Sequence, residues 1–280
     1  MRRDHRHAAW VFALLGTVAC GDEEAVPRDA RDRDAAASRR DSGPRSRNRR
    51  GGEPGRATIE VLDPGTAESG TPGAIEAVVL FEGDPPPRVE IPAIQSHAQC
   101  RQEEAPLTEQ VIVEDGKLQN VVVYLAGLPA GREVPPPPPE DAVVDQKGCL
   151  FVPHVSAVQA GRGLEVTNSD PFGHNVHVFA DRNPGENKTT GPGQGVRLSI
   201  EHAEDVRLTC DLHPWMNAWV FVVDHPWFGV SGADGTLRIE DVPPGEYRLE
   251  AWHEHYGRLR CGDVAVGPGG RVQATITYAP

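Results

Sequence analysis

Three side chains that commonly bind metals stand close together in the stretch CDLHPWM, residues 210–216. Cys210 is followed three residues later by His213, and His213 is followed three residues later by Met216. The chain has only 2 methionines, and the other one is Met1. A thiolate, an imidazole and a thioether are ligands that suit soft and borderline transition metals. The spacing therefore indicates a metal-binding loop, and a polar turn with a structural thiol is the alternative for this stretch taken alone.

The segments around this loop predict the strands that would hold it. VRLTC ahead of the loop and AWVFVVD behind it are rich in β-branched and aromatic residues, which favours an antiparallel pair. A second imidazole is available in NSDPFGHNVHVFA, where His174 follows a turn and begins a predicted strand. A mononuclear electron-transfer copper needs two imidazoles, one thiolate and a weak axial thioether. The candidate ligands of such a site are His174, Cys210, His213 and Met216.

Taken together, GHNVH and the C-x-x-H-P-x-M loop resemble the paired motifs of the cupredoxins, and most closely those of the amicyanins. The resemblance extends over about residues 147–224. It implies a Greek-key β-sandwich with one type 1 copper site held by the four candidate ligands. It also implies that Asn175 ties the two ligand segments together, whereas His177 is either a supporting group or an exposed surface histidine. Gly173 departs from the proline usual in that family, and a cupredoxin that has lost its metal is a further alternative.

The wider chain resembles extracytoplasmic bacterial proteins described as methylamine-utilisation-like. Those proteins join a cupredoxin unit to a carboxypeptidase-regulatory-like sandwich. The stretch DGTLRIEDVPPGEYRLEAWHE resembles the second module, with Leu237 in place of phenylalanine. Such modules are usually non-catalytic, and the resemblance does not show that this protein handles methylamine.

Short β-like runs separated by turn residues begin at Ala57 and predict an all-β protein. We expect an N-terminal β-rich unit at 57–144, a Greek-key cupredoxin sandwich at 145–224 and a carboxypeptidase-regulatory-like β unit at 225–280. Residues 21–56 have too few large apolar side chains to offset the entropy of ordering. They are predicted to be a disordered linker that tethers the folded part.

The first twenty residues have the features of a targeting segment. Arginines precede a short apolar run, and the small residues Val18 and Ala19 stand before Cys20. This pattern predicts a signal peptide over 1–20 that ends in a lipobox, with a lipid on Cys20. Ordinary signal cleavage nearby is the alternative. Both place the protein outside the cytoplasm, in the periplasm or cell envelope, and lipidation would anchor it to a membrane.

The charge distribution excludes nucleic acid as a partner. The net charge is −13, and the residues after position 55 carry about 16 basic and 32 acidic side chains. Such an acidic part lacks the basic face that nucleic-acid binding needs.

The motifs favour a carrier over an enzyme, because no G-x-S-x-G, H-E-x-x-H or P-loop motif is present. Four protein ligands also leave a metal no open position for a substrate, so we expect no enzymatic activity.

Three cysteines have no role in the signal or the copper loop, namely Cys100, Cys149 and Cys261. We expect a disulfide between Cys100 and Cys149 that links the first β unit to the copper domain. Cys261 could exchange with either of them, because sequence alone does not determine pairing.

Several histidines and one tryptophan admit two interpretations each. One interpretation of His225, His253 and His255 is a second metal site or a docking patch, and the other is a packed domain junction. The junction is preferred. His154 is as well explained by a structural role as by a functional one. Trp215 is either a junction aromatic or an exposed ring over the copper edge.

Three functions are consistent with these residues. The first is single-electron transfer by a type 1 copper site, with a periplasmic cytochrome or a dehydrogenase as redox partner. The second is a copper-binding module for sensing, storage or delivery. The third is a structural or carbohydrate-binding β protein that acts through its flanking sandwiches.

Overall fold

The computed structural model describes residues 55–280, and almost all of its regular structure is β-strand. This confirms the all-β fold class that the alternating runs predicted. The signal segment, Cys20 and the linker up to residue 54 lie outside the described residues. Between residues 55 and 280, no helix has the length and apolar character that a membrane span requires.

The regular elements follow one another in three groups along the chain. The first group is β1 Gly55–Asp63, β2 Gly73–Phe81, α1 Pro92–Ser96, β3 Val113–Glu114, β4 Lys117–Leu118 and β5 Val122–Ala126. The second is β6 Ala142–Lys147, β7 Leu150–Val152, β8 Val155–Gln159, β9 Gly163–Asn168, β10 His174–Phe179, β11 Asn187–Thr190, β12 Gly195–Ser199, β13 Asp205–Thr209 and β14 Asn217–Val223. The third is β15 Phe228–Val230, β16 Thr236–Val242, β17 Gly245–His253, β18 Gly257–Val266 and β19 Arg271–Tyr278.

The first and third groups share two sheets, which we call the outer sandwich. β19 lies between β1 and β2, antiparallel to the first and parallel to the second. β16 also pairs with β2, and β17 pairs with both β5 and β18. Most of segment 57–144 and all of segment 225–280, which were expected as two separate units, therefore build one body, whereas residues 142–144 belong to β6 of the second group. Each of them has too few long strands to cover a hydrophobic face alone, and each supplies strand edges that the other needs.

One continuous core joins the strands of the outer sandwich. Ile75 and Val79 of β2 are fully buried together with Ile239 of β16 and Ile276 of β19. Leu125 of β5 belongs to the same cluster. Because these side chains come from both ends of the described chain, the outer sandwich can form only after the chain has passed through the second group of strands.

The second group forms the central sandwich, whose two sheets have the strand orders β11-β10-β13-β14-β8 and β12-β9-β6-β7. Both sheets contribute to a single core, with Leu164 and Val166 from one sheet and Val176, Leu208 and Val220 from the other. This arrangement agrees with the β-sandwich expected at 145–224. The central sandwich is thus an insertion between β5 and β15.

The two sandwiches pack against each other through a smaller apolar cluster. Val122 and Trp252 of the outer sandwich meet Val155, Phe221 and Val223 of the central one. The described residues 55–280 accordingly belong to one compact unit. The ligand loop after β13 is therefore attached to a support that is packed on more than one side.

Candidate metal centre

The ligand loop connects two paired strands, as the flanking β-rich segments predicted. Cys210 directly follows β13 and Met216 directly precedes β14, and the two strands are antiparallel with Thr209 opposite Asn217. The Cys210 N–H donates to the Met216 carbonyl at 3.2 Å, and the Met216 N–H donates to the His213 carbonyl at 2.9 Å. These two bonds close the loop into a compact turn, so its side chains have little freedom.

The fold brings His174 to this loop from the neighbouring strand. His174 begins β10, and β10 pairs with β13 so that His177 lies opposite Thr209. The Nδ1 atoms of His174 and His213 are 3.0 Å apart. The Cys210 Sγ lies 3.9 Å from the first of these nitrogens and 3.7 Å from the second. Three predicted ligands that are spread over 40 positions of sequence thus converge in space.

This triangle of atoms has the size that a transition metal requires. A point about 2.1 Å from all three atoms exists in their plane, and metal–imidazole and metal–thiolate bonds are about 2.0–2.3 Å long. The residues are nearly inaccessible to water, with 0% of His174, 1% of Cys210 and 2% of His213 exposed. Met216 is fully buried in the same core cluster as Cys210. A buried His₂Cys set with a methionine close by in the core fits copper.

Neutral imidazole is the form of histidine that binds a metal, and the surroundings favour it at His213. Burial, together with the nearby rings of His174 and His97, lowers the pKa of His213 to about 4. The ring is therefore uncharged at neutral pH and has a lone pair free for ligation.

Asn175 joins the two ligand segments, in the place that the family resemblance implied. Its Oδ1 accepts the Asp211 N–H at 2.8 Å and lies 3.3 Å from the Cys210 Sγ. Its Nδ2 donates to Asn187 at 2.7 Å and to the Asp211 carboxylate at 3.1 Å. One side chain thus holds the start of the ligand loop against β10.

His177 lies farther from the site than the ligands do. It follows His174 by three positions on the same strand, so its side chain leaves the opposite face of the sheet. Its Nδ1 lies 3.0 Å from the Asp211 Oδ1, and a third of the side chain is exposed. His177 therefore supports the loop only through Asp211, next to Cys210 in sequence.

Asp170 is a site residue that sequence reasoning missed. Its Oδ2 accepts the Nε2–H of His174 at 2.9 Å and the Cys149 N–H at the same distance, and its Oδ1 accepts the Gly148 N–H at 2.7 Å. This bond keeps the His174 proton on Nε2 and leaves Nδ1 free for a metal. The available signal was an aspartate four residues before the candidate ligand, inside NSDPFGH.

We expect the Asp170→Asn substitution to lower copper affinity about 10–100-fold, because the amide cannot accept all three N–H groups and loosens the His174 ring. A competition titration with Cu(II) and a chelator measures the change. Asp145→Asn is the matched control, since Asp145 bonds to Thr167 on the adjacent strand and does not contact His174. Equal affinities of the two variants would show that Asp170 does not orient the ligand.

Residues 89–108 pass over the His213 side of the site, and we call them the cover segment. It contains α1, and its ends are joined by the pairing of Glu90 with Leu107. Gln99 reaches to 3.4 Å from the His213 Nε2, and the His97 ring packs edge-on against Trp215 at 4.8 Å. The sequence had no periodic feature that predicted this contact. The contact explains why His213 is almost fully buried.

A disulfide between Cys100 and Cys149 attaches the cover segment to the central sandwich. This is the pairing preferred from the sequence, and it links the first β segment to the central sandwich. Cys261, which could have replaced either partner, is a free thiol in the outer core. Burial, with a smaller contribution from Glu250, raises its pKa to about 12.

His154, His225 and His253 are buried and Trp215 is half-buried, whereas His255 is exposed and does not fit the junction interpretation. The His225 Nε2 donates to the Leu125 carbonyl at 2.7 Å, and His253 is fully buried in the outer sandwich. His154 is bonded to Glu254 across the contact between the two sandwiches. The Trp215 indole is half-buried and donates to the Cys149 carbonyl at 2.9 Å. The junction interpretation therefore agrees with the packed positions of His225 and His253.

No protein-family model and no curated protein matches this chain. Among solved structures, it is similar to a purple cupredoxin from Nitrosopumilus maritimus, with 19% identity over 30% of this chain and 100% of that one at a TM-score of 0.27. A variant of amicyanin in its oxidised state shows 24% identity over 30% and 82% at a TM-score of 0.28. A copper-containing nitrite reductase from Thermus scotoductus shows 24% identity over 34% and 25% at a TM-score of 0.27. The similar structures thus include cupredoxins, and they correspond to about a third of this chain.

Proposed function

We propose that this protein carries single electrons on one type 1 copper ion held by His174, Cys210, His213 and Met216. The observation that carries the proposal is the buried triangle of two imidazole nitrogens and one cysteine sulfur, with sides of 3.0, 3.7 and 3.9 Å. Trigonal His₂Cys sets with a weak methionine ligand are the sites of blue copper electron carriers.

The residues around the triangle favour rapid electron transfer, because they hold the ligands in one arrangement. Asp170 orients His174, Asn175 fixes the start of the loop, and the two backbone bonds of the loop fix Met216. Bound there, copper would supply a one-electron Cu(II)/Cu(I) couple. Ligands that keep their positions in both oxidation states reduce the rearrangement that accompanies each transfer.

We propose that the protein is an electron carrier rather than an enzyme, because it supplies every ligand of the proposed site. Three ligands form the plane, and Met216 is available as the fourth. A catalytic metal keeps a position open for water or substrate. The expected partner is an extracytoplasmic redox protein, such as a cytochrome or a dehydrogenase. We retain the extracytoplasmic and lipid-anchored location as part of this proposal.

Addition of Cu(II) to the metal-free protein tests the proposal directly. We expect one equivalent to bind and to give an intense visible absorption from the cysteine thiolate, with an EPR spectrum of a single type 1 site. Reduction by one electron should bleach the absorption, and reoxidation should restore it. A colourless protein with copper bound would contradict the proposal, as would copper loss on each reduction, which would favour storage or delivery.

A further inference from the structure

A second set of soft ligand atoms lies beside the first and shares His213 with it. The sulfur atoms of Cys100 and Cys149 and one ring nitrogen of His213 all lie within 4.8 Å of one another. All three residues are buried. While the two sulfurs are bonded in the disulfide, neither is a thiolate, and only thiolate sulfur is a strong metal ligand.

We propose that reduction of the Cys100–Cys149 disulfide by a dithiol creates a second site, in which both cysteines and His213 bind Cu(I). The dithiol gives two electrons and two protons to the cysteine sulfurs, the S–S bond breaks, and the dithiol itself becomes a disulfide. Each cysteine then releases its proton when it binds the metal. This inference goes beyond the proposed electron transfer, because the second site does not use Cys210.

The backbone spacing suits both states of the pair. The two Cα atoms are 5.6 Å apart, within the range for a disulfide. Two sulfurs bound to one metal, each at about 2.3 Å, are separated by roughly 4 Å. Rotation of the two short side chains provides this change, so the backbone can stay where it is.

The cysteines are also held in place by contacts that do not depend on the S–S bond. The Cys149 N–H donates to Asp170 at 2.9 Å, and the Cys149 carbonyl accepts the Trp215 indole N–H. The Gln102 amide donates to the Gly148 carbonyl at 2.9 Å, which attaches the cover segment next to Cys149. Ile94 of α1 is fully buried in the central core. We therefore expect the thiols to remain close together after reduction.

The surface next to the pair gives a reductant a route to it. Residues 96–99 of the cover segment are exposed and lead directly to Cys100. A small local opening of these exposed residues is enough to bring the disulfide to solvent, and exposed segments open locally at lower free-energy cost than the core. Both sites use His213, so the second site lies directly beside the first.

The test uses the full chain carrying Cys210→Ser and Cys261→Ser, which removes the thiolate of the first site and the free thiol of the outer core. The disulfide form and the dithiol-reduced form are each titrated anaerobically with Cu(I), supplied as its acetonitrile complex, against a chromogenic Cu(I) chelator. We expect the reduced form to bind one Cu(I) about 10-fold or more tightly than the disulfide form, with ultraviolet absorption from Cu(I)–thiolate bonds. Adding Cys100→Ser and Cys149→Ser should abolish the difference and is also the control for Cys20.

Two results would overturn the inference. Equal Cu(I) affinity of the reduced and disulfide forms, with a thiol assay confirming that two thiols were released, would show that the pair does not bind the metal. Loss of the β-sheet circular dichroism on reduction would show that the disulfide is a structural cross-link only. Both measurements use a chain without Cys210. Failure of the second site can therefore be distinguished from failure of the Cu(II) test of electron transfer.

Discussion

Replacement of Cys210 by serine is expected to abolish the visible absorption of the copper-loaded protein and to weaken copper binding by about 100-fold or more. The absorption arises from electron donation by the thiolate, and a serine hydroxyl is a harder ligand that stays protonated at neutral pH. The fold should survive, because the hydroxyl can donate to the Asn175 Oδ1, which lies 3.3 Å from the present sulfur. Visible and EPR spectra at one equivalent of Cu(II) measure the effect.

Cys261→Ser is the matched control for this experiment. Cys261 is also a buried free cysteine, but it belongs to the outer core and not to the ligand triangle. Burial raises its pKa to about 12, so it is an uncharged thiol at neutral pH. The control should keep the colour and the copper affinity. Colour that persists without Cys210, or that disappears only without Cys261, would refute the proposed ligand set.

Glu254→Ala is expected to lower the free energy of unfolding by about 3–5 kcal/mol, the cost of leaving one partner of a buried ion pair without the other. Glu254 is bonded to His154 with one carboxylate oxygen, and its Oε2 accepts the Trp219 indole N–H at 2.9 Å. The side chains of Glu254 and His154 are 6% and 5% exposed. The contact links the β17–β18 turn of the outer sandwich to the central sandwich. Denaturant unfolding of the metal-free protein measures the loss, and a variant of the exposed Glu246 in β17 provides the control.

The effect of Glu254 should depend on pH in a defined direction. Burial is the largest influence on His154 and opposes its charge, but the bond and charge of Glu254, with Glu109 at 3.8 Å, outweigh it and raise the pKa of His154. A raised pKa means that folding takes up a proton. The stabilisation is then complete below about pH 6.5, the usual histidine value, and is lost as the pH rises through the raised pKa.

The stability difference between the wild-type protein and Glu254→Ala should therefore be largest near pH 6 and smaller at pH 9. Burial, with the nearby charges of His255 and His154, lowers the pKa of His253 to about 3, so His253 has the opposite pH dependence. It is present in both chains, and the comparison largely removes its contribution. A difference that does not change with pH would mean that His154 is neutral in the folded protein.

The metal-binding loop and its strands could be predicted because their signals are local. Cys210, His213 and Met216 lie within one turn between two β-rich runs, and His174 begins a third run. Strand periodicity follows from the backbone and the side-chain types of neighbouring residues, so it can be read in short windows. The same local character revealed the all-β class.

Contacts between distant residues were decided by the tertiary structure. β19 pairs with β1 and β2 at the other end of the described chain, and His154 meets Glu254 100 positions away. The cover segment reaches His213 with Gln99, 114 positions apart. Such pairs have no sequence period, because they depend on which strand edges and which apolar faces remain uncovered once the local elements have formed. The sequence by itself therefore determined the ligand types and their strands, whereas the tertiary structure determined how the ligands are oriented, buried and covered.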